Sequence, residues 1–106
     1  MALADTPQRR SRGLMGVTDL GDLDGMLFSL DTPAATRFWM KNTLIPLDVA
    51  FFGENAILQG VLPMDPCVAD PCPTYGLGEP WLWALEAPRG TLQDLPDGAL
   101  LAGEDL

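Results

Sequence analysis

The chain has 106 residues, 47% of them hydrophobic, which makes one ordinary domain able to bury its own core and is too apolar for a disordered segment. Six Lys and Arg against fifteen Asp and Glu leave a net charge of −9, which argues against nucleic-acid binding, where phosphates need a basic stripe, and against adsorption to an anionic membrane. There is no histidine, so a Ser-His-Asp triad, Cys-His catalysis and His-ligated zinc are excluded, and no run of about 18 apolar residues is present to span a membrane directly.

Eleven Gly and ten Pro, scattered without period, punctuate many short elements. No signal peptide is legible at Met1-Ala2-Leu3-Ala4, and a leader or anchor is expected to stand outside this sequence. Thr6-Pro7 signals a helix start, because Thr6 can cap and Pro7 suits the first helical position. The helix is expected to run to Leu14 and Met15 and to stop at Gly16. Its arginines oppose the macrodipole, so packing must hold it. Asp24-Gly25 reads as a turn, Met26-Leu27-Phe28 as a short strand broken by Asp31-Thr32-Pro33, and Arg37 to Met40 as its partner. Leu47 to Phe52 is the clearest strand, Gly53-Glu54-Asn55 its hairpin loop, and Ala56 to Leu62 the return.

Residues 63–80 form a Pro- and Gly-rich loop carrying both cysteines. Trp81 to Leu85 is the last strong strand. It is apolar on both faces and hence expected to be central, with Trp81 and Trp83 on one side. A helical turn over 91–95 and an edge strand over 98–101 would close the chain. These elements predict a mainly β domain, a small antiparallel β-barrel or sandwich with one or two short helices.

The block from Phe38 to Asp48 is the strongest candidate site, since it gathers Trp39, Lys41, Asn42 and Asp48 at one turn. One reading is structural: Lys41 and Asp48 pair across the turn, while Asn42 and Thr43 bond to the backbone. The other is that Arg12, Trp39, Lys41, Asn42 and Asp48 line a pocket for a small polar ligand. Cys67 and Cys72 allow a local disulfide, free thiols or a metal site; the bridge would stabilise by roughly 2 kcal/mol and would fit an exported protein. Met15, Met26, Met40 and Met64 read as gap-filling core residues, with a thioether Cu(I) site as the sharper alternative. No carboxylate pair is marked out for glycoside hydrolysis, and no EF-hand spacing exists for calcium. No cofactor or metal is expected.

The blocks Ala4-Asp5-Thr6-Pro7, Arg12-Gly13-Leu14-Met15, Gly25-Met26-Leu27-Phe28, Phe38 to Asp48 and Met64-Asp65-Pro66-Cys67 occur in that order. Together they resemble the bacterial and archaeal family known as domain of unknown function 192, along nearly the whole chain. The resemblance implies a small, barrel-like β fold in proteins that are often exported or membrane-tethered, and it brings no catalytic residues. The family usually closes with a longer helix and a strand, for which 89–106 is a shortened, acidic counterpart. The expected function is therefore a noncatalytic ligand-binding or accessory domain outside the cytoplasm. The alternatives are a small His-free enzyme using Lys41, Asp48 or the cysteines, and a structural or protein-interaction module.

Overall fold

The structure, a computed structural model, describes residues 2–15, 25–90 and 92. Its elements are β1 (Ala2–Ala4), α1 (Pro7–Arg12), β2 (Met26–Ala34), β3 (Phe38–Trp39), β4 (Leu47–Phe52), β5 (Leu58–Met64), β6 (Thr74–Tyr75) and β7 (Trp81–Pro88). Five strands form one sheet in the order β1-β2-β7-β4-β5, and β3 and β6 form a separate two-stranded ribbon. β7 pairs antiparallel with both β2 and β4, which gives it the central place that its two apolar faces imply. β4 is flanked by β5 and β7, and all six of its residues are buried.

The two faces of this sheet make two apolar clusters. Phe28, Val49, Phe51, Met64 and Ala84 belong to the larger one, together with Ala4, Leu14, Met40, Leu47 and Trp81. Ala50, Phe52, Ala87 and Leu92 form the smaller one. The alternation along β4 produces this division directly, because successive side chains leave opposite faces of a strand. Phe38, from the ribbon, stacks on Trp81 with ring centroids 5.5 Å apart and meets the edge of Phe28 at 4.9 Å. Such offset and edge contacts add to simple area burial. The Trp81 indole N–H donates to the Thr36 carbonyl at 2.8 Å, so this deeply buried ring leaves no polar atom unmatched.

The mainly β architecture matches expectation, and several of its details are corrected. The sheet is mixed rather than purely antiparallel, because β1 runs parallel to β2. The described strands form an open sheet and a ribbon, without closing into a barrel. α1 ends at Arg12, where Gly13 caps it with a φ of 51° and donates to the Arg9 carbonyl, three residues before the expected stop. Phe38–Trp39 pairs with Thr74–Tyr75 and not with Met26–Phe28, whose partners are β1 and β7. β2 also continues through Asp31-Thr32-Pro33, with its register on β7 shifting between Ser29 and Ala34. At that irregular end Trp81 joins the larger cluster while Trp83 packs against the smaller, so the two do not share a face. β5 begins at Leu58 and extends to Met64. The closing turn over 91–95 and the edge strand over 98–101 fall outside the described residues apart from Leu92.

Gly25 leads into β2 against the backbone of Glu86 on β7, and a Cβ there would overlap the Glu86 carbonyl oxygen. Backbone cannot swing aside as a side chain can, so Gly25→Ala is expected to lower unfolding stability by about 2 kcal/mol or more. Urea unfolding monitored by tryptophan fluorescence checks this; an unchanged midpoint would show that the contact yields freely.

Candidate functional site

Two short segments present the polar groups of the site. In α1, the Thr6 side chain accepts from the Arg9 N–H at 3.1 Å and Pro7 occupies the first turn, so the helix starts where the sequence signals it. The helix lays Arg10 back across β2, where its Nη1 donates to the Ser29 carbonyl at 2.7 Å. Arg37 enters β3 and grips the opposite ribbon strand: Nε donates to Thr74 Oγ1 and Nη2 to the Thr74 carbonyl, both at 2.8 Å. Gly76 lets the Arg37 stem pass closely, since a Cβ there would lie 3.0 Å from Arg37 Cγ.

Between the helix, the ribbon and the larger apolar face of the sheet lies a cavity of about 580 Å³. Its deep walls are buried residues: Leu14, Phe28, Trp81, Thr43 and Glu86. Arg37 and Trp39 line its outer part, and Trp39 remains 51% exposed. Arg10, Pro7, Gly13 and Met15 contribute from the helix side, and Leu30, Thr36 and Phe38 complete the lining. This mixture of aromatic walls and a few convergent polar groups is the character of a small-molecule site.

Glu86 is only 4% exposed, and burial pushes its carboxyl up from 4.5 to about 8. The cause is desolvation, which disfavours the ionised form. At neutral pH the group is therefore mostly a protonated acid, able to donate as well as accept a hydrogen bond.

The structure scatters the residues expected to form one pocket. Trp39 lines the cavity. Arg12 is the last residue of α1, and its side chain lies outside the described residues. Lys41 pairs with Asp70 at 3.0 Å rather than with Asp48. Asn42 sits at the turn with a φ of 59°, and its N–H donates to the Cys67 carbonyl at 2.8 Å. Asp48 is 4% exposed; it accepts from the Gly90 N–H at 2.9 Å and lies 3.7 Å from Arg89 Nε. Arg89 in turn bonds Asp65 at 2.9 Å and the Met64 carbonyl at 2.6 Å, tying the end of β7 to the end of β5. The turn does meet the cysteine loop, as Lys41 and Thr43 both bridge to Cys67, and Cys67 and Cys72 are joined as a disulfide. Of the methionines, Met40 and Met64 are buried in the core, as gap-filling predicts.

Arg10, Arg37 and Glu86 are the site residues that the sequence reading missed. Glu86 carried a usable signal: it follows Ala84 by two in an apolar strand, so alternation aims a carboxyl into the core. Arg10 and Arg37 carried none, since each is an ordinary surface type whose neighbours come from distant segments. Among the described residues no group of three His, Cys, Asp or Glu is placed to hold a metal ion.

Glu86 also makes stability depend on pH. Below about 4.5 both folded and unfolded chains hold the proton. Between 4.5 and about 8 the unfolded chain releases it and the folded chain keeps it, so stability falls as pH rises through that window. With no histidine in the chain, no other side chain ordinarily titrates between pH 5 and 8. Glu86→Gln is expected to flatten a decline of up to about 1.4 kcal/mol per pH unit, read from urea midpoints at pH 5, 6, 7 and 8. An equally steep decline in the variant would remove Glu86 as its source.

The sequence profile of domain of unknown function 192, described as an uncharacterized ACR family, matches residues 1–99. No curated protein matches the chain. A solved structure of a "putative transcription regulator" from Sinorhizobium meliloti 1021 is similar with a TM-score of 0.85 and 30% identity, covering 98% of this chain and 81% of that one. A solved protein of unknown function from Novosphingobium aromaticivorans DSM 12444 is 34% identical with a TM-score of 0.76, over 85% of this chain. The chain spans 63% of the length of the Novosphingobium protein. With the profile matched over nearly its whole length and the fold shared with these relatives, the chain belongs to the family of domain of unknown function 192.

Proposed function

We propose that this chain is a noncatalytic domain that binds a small polar ligand in the cavity beside Trp39 and acts outside the cytoplasm. The cavity carries the reading: about 580 Å³ bounded by aromatic rings and by Arg10, Arg37, Thr43 and Glu86, while among the described residues Lys41, Asp48, Asp65, Asp70 and Arg89 are engaged in ion pairs with one another. A ligand of that size would be largely enclosed, as ligands in preformed clefts are. The residues on which an enzyme would have drawn are engaged elsewhere. Lys41 is paired with Asp70, Asp48 accepts from Gly90 beside Arg89, and the two cysteines are bridged. The disulfide supports action in an oxidising compartment. Among the described residues no helix is long and apolar enough to cross a membrane. The description of the Sinorhizobium protein as a regulator is not carried over, because a net charge of −9 opposes contact with a phosphate backbone.

The test is a fragment screen by protein-observed NMR, following the indole signals of Trp39, Trp81 and Trp83. Hits are expected to shift Trp39 and Trp81 and to leave Trp83, which packs on the other face. Trp39→Ala removes half-exposed surface, so it is expected to keep the thermal midpoint while weakening those hits roughly ten-fold or more through lost aromatic contact. Hits that bind the variant as tightly, or that bypass both cavity tryptophans, would overturn the proposal.

A further inference from the structure

The described cations divide into two groups. Arg9 pairs with Asp5 at 3.2 Å, Lys41 with Asp70 at 3.0 Å, and Arg89 with Asp65 at 2.9 Å and Asp48 at 3.7 Å. Arg10 and Arg37 differ: their hydrogen bonds go to uncharged oxygens, those of Ser29 and Thr74, and among the described residues no carboxylate forms an ion pair with either. Both line the cavity. In a chain with fifteen acidic residues and six basic ones, two guanidinium charges thus have no ion pair among the described residues, and both line the same cavity.

We infer that the cavity takes a small amphipathic organic anion, an apolar body bearing one carboxylate-like group, with the anion held between Arg10 and Arg37 and the body against Trp39 and Phe38. This inference rests on the cavity being a ligand site, as proposed above. Guanidinium groups offer paired donors in a planar fork that matches a carboxylate, and those hydrogen bonds are stronger than neutral ones. The hydrogen bonds that Arg10 and Arg37 already make to backbone and hydroxyl oxygens hold them in place before a ligand arrives, which reduces the ordering cost of binding. Next to the arginines the lining turns aromatic, so charge alone would leave most of the cavity wall unmatched. Glu86 is compatible with an anionic guest, since burial keeps it mostly protonated near neutral pH and spares the pair a repulsion.

Four probes separate the terms: 3-phenylpropionate, its neutral amide, the corresponding amine, and inorganic phosphate, each titrated against the full chain by tryptophan fluorescence and calorimetry. The acid is expected to bind roughly ten- to a hundred-fold more tightly than the amide, the difference a charge-assisted hydrogen bond makes, with the amine and free phosphate weaker still. Arg37→Gln, at an exposed position, and Arg10→Gln are each expected to abolish that preference, with the acid losing far more affinity than the amide. Unfolding midpoints of both variants confirm that the fold is retained, and either folded variant alone suffices. Equal affinity for acid and amide, or an undiminished preference in both arginine variants, would overturn the inference while leaving the cavity a binding site. Phosphate binding as tightly as the acid would overturn the role of the apolar body. Fragment hits confined to other surfaces would overturn the binding reading itself, a result that the four probes do not mimic.

Discussion

The stacking of Phe38 on Trp81 is the contact on which the arrangement of this molecule depends. β3 and β6 share no strand pairing with the five-stranded sheet, so side-chain packing must fasten the ribbon to it. Phe38 reaches Phe28, Phe51 and Trp81 at ring distances of 4.9, 5.8 and 5.5 Å, and so touches side chains of β2, β4 and β7 together. Large aromatic rings bury much area at few rotatable bonds, which suits them to join two layers at one point. The hydrogen bond from the Trp81 indole to Thr36 fixes that ring relative to the chain entering the ribbon. With the ribbon held there, Arg37 and Trp39, the neighbours of Phe38, are carried to the cavity mouth.

The charged residues follow a division of labour that the net charge alone conceals. Asp48, buried at the start of β4, is matched by the Gly90 N–H and by Arg89, which also spans to Asp65 and the Met64 carbonyl. A buried carboxylate without such partners would be costly, and removing one partner would leave the other exposed to that cost. The exposed Arg9–Asp5 pair, four residues apart, is of the kind that contributes little. Glu86 solves the same difficulty in a different way, by keeping its proton.

What was legible in the sequence was what local chemistry decides. β4 was read at both ends, because Val49, Phe51 and Phe52 favour a strand and Pro46 and Gly53 bound the run. The start of α1 was read from a capping residue followed by proline, and the centrality of β7 from its two apolar faces. Choices between distant partners were not. Lys41 had carboxylates at positions 48 and 70 within reach of argument, and the nearer in sequence was the wrong one. The pairing of β3 with β6 and of β1 with β2 joins segments that carry no mark of each other. Arg10 and Arg37 escaped notice for that reason, since only the assembled fold shows that they share an opening.

The bridge between Cys67 and Cys72 has a practical consequence beyond the small loop it closes. Cys67 lies against both Lys41 and Thr43, and Thr43 is part of the cavity wall. The five-stranded sheet includes neither cysteine, so the bridge joins none of its strands to one another. A preparation made in a reducing cytoplasm would lose the constraint of the bridge at the point where the loop meets the Lys41–Thr43 turn. The choice of production host, and the presence of thiol reagents in a storage buffer, become experimental variables in any affinity measured for this protein.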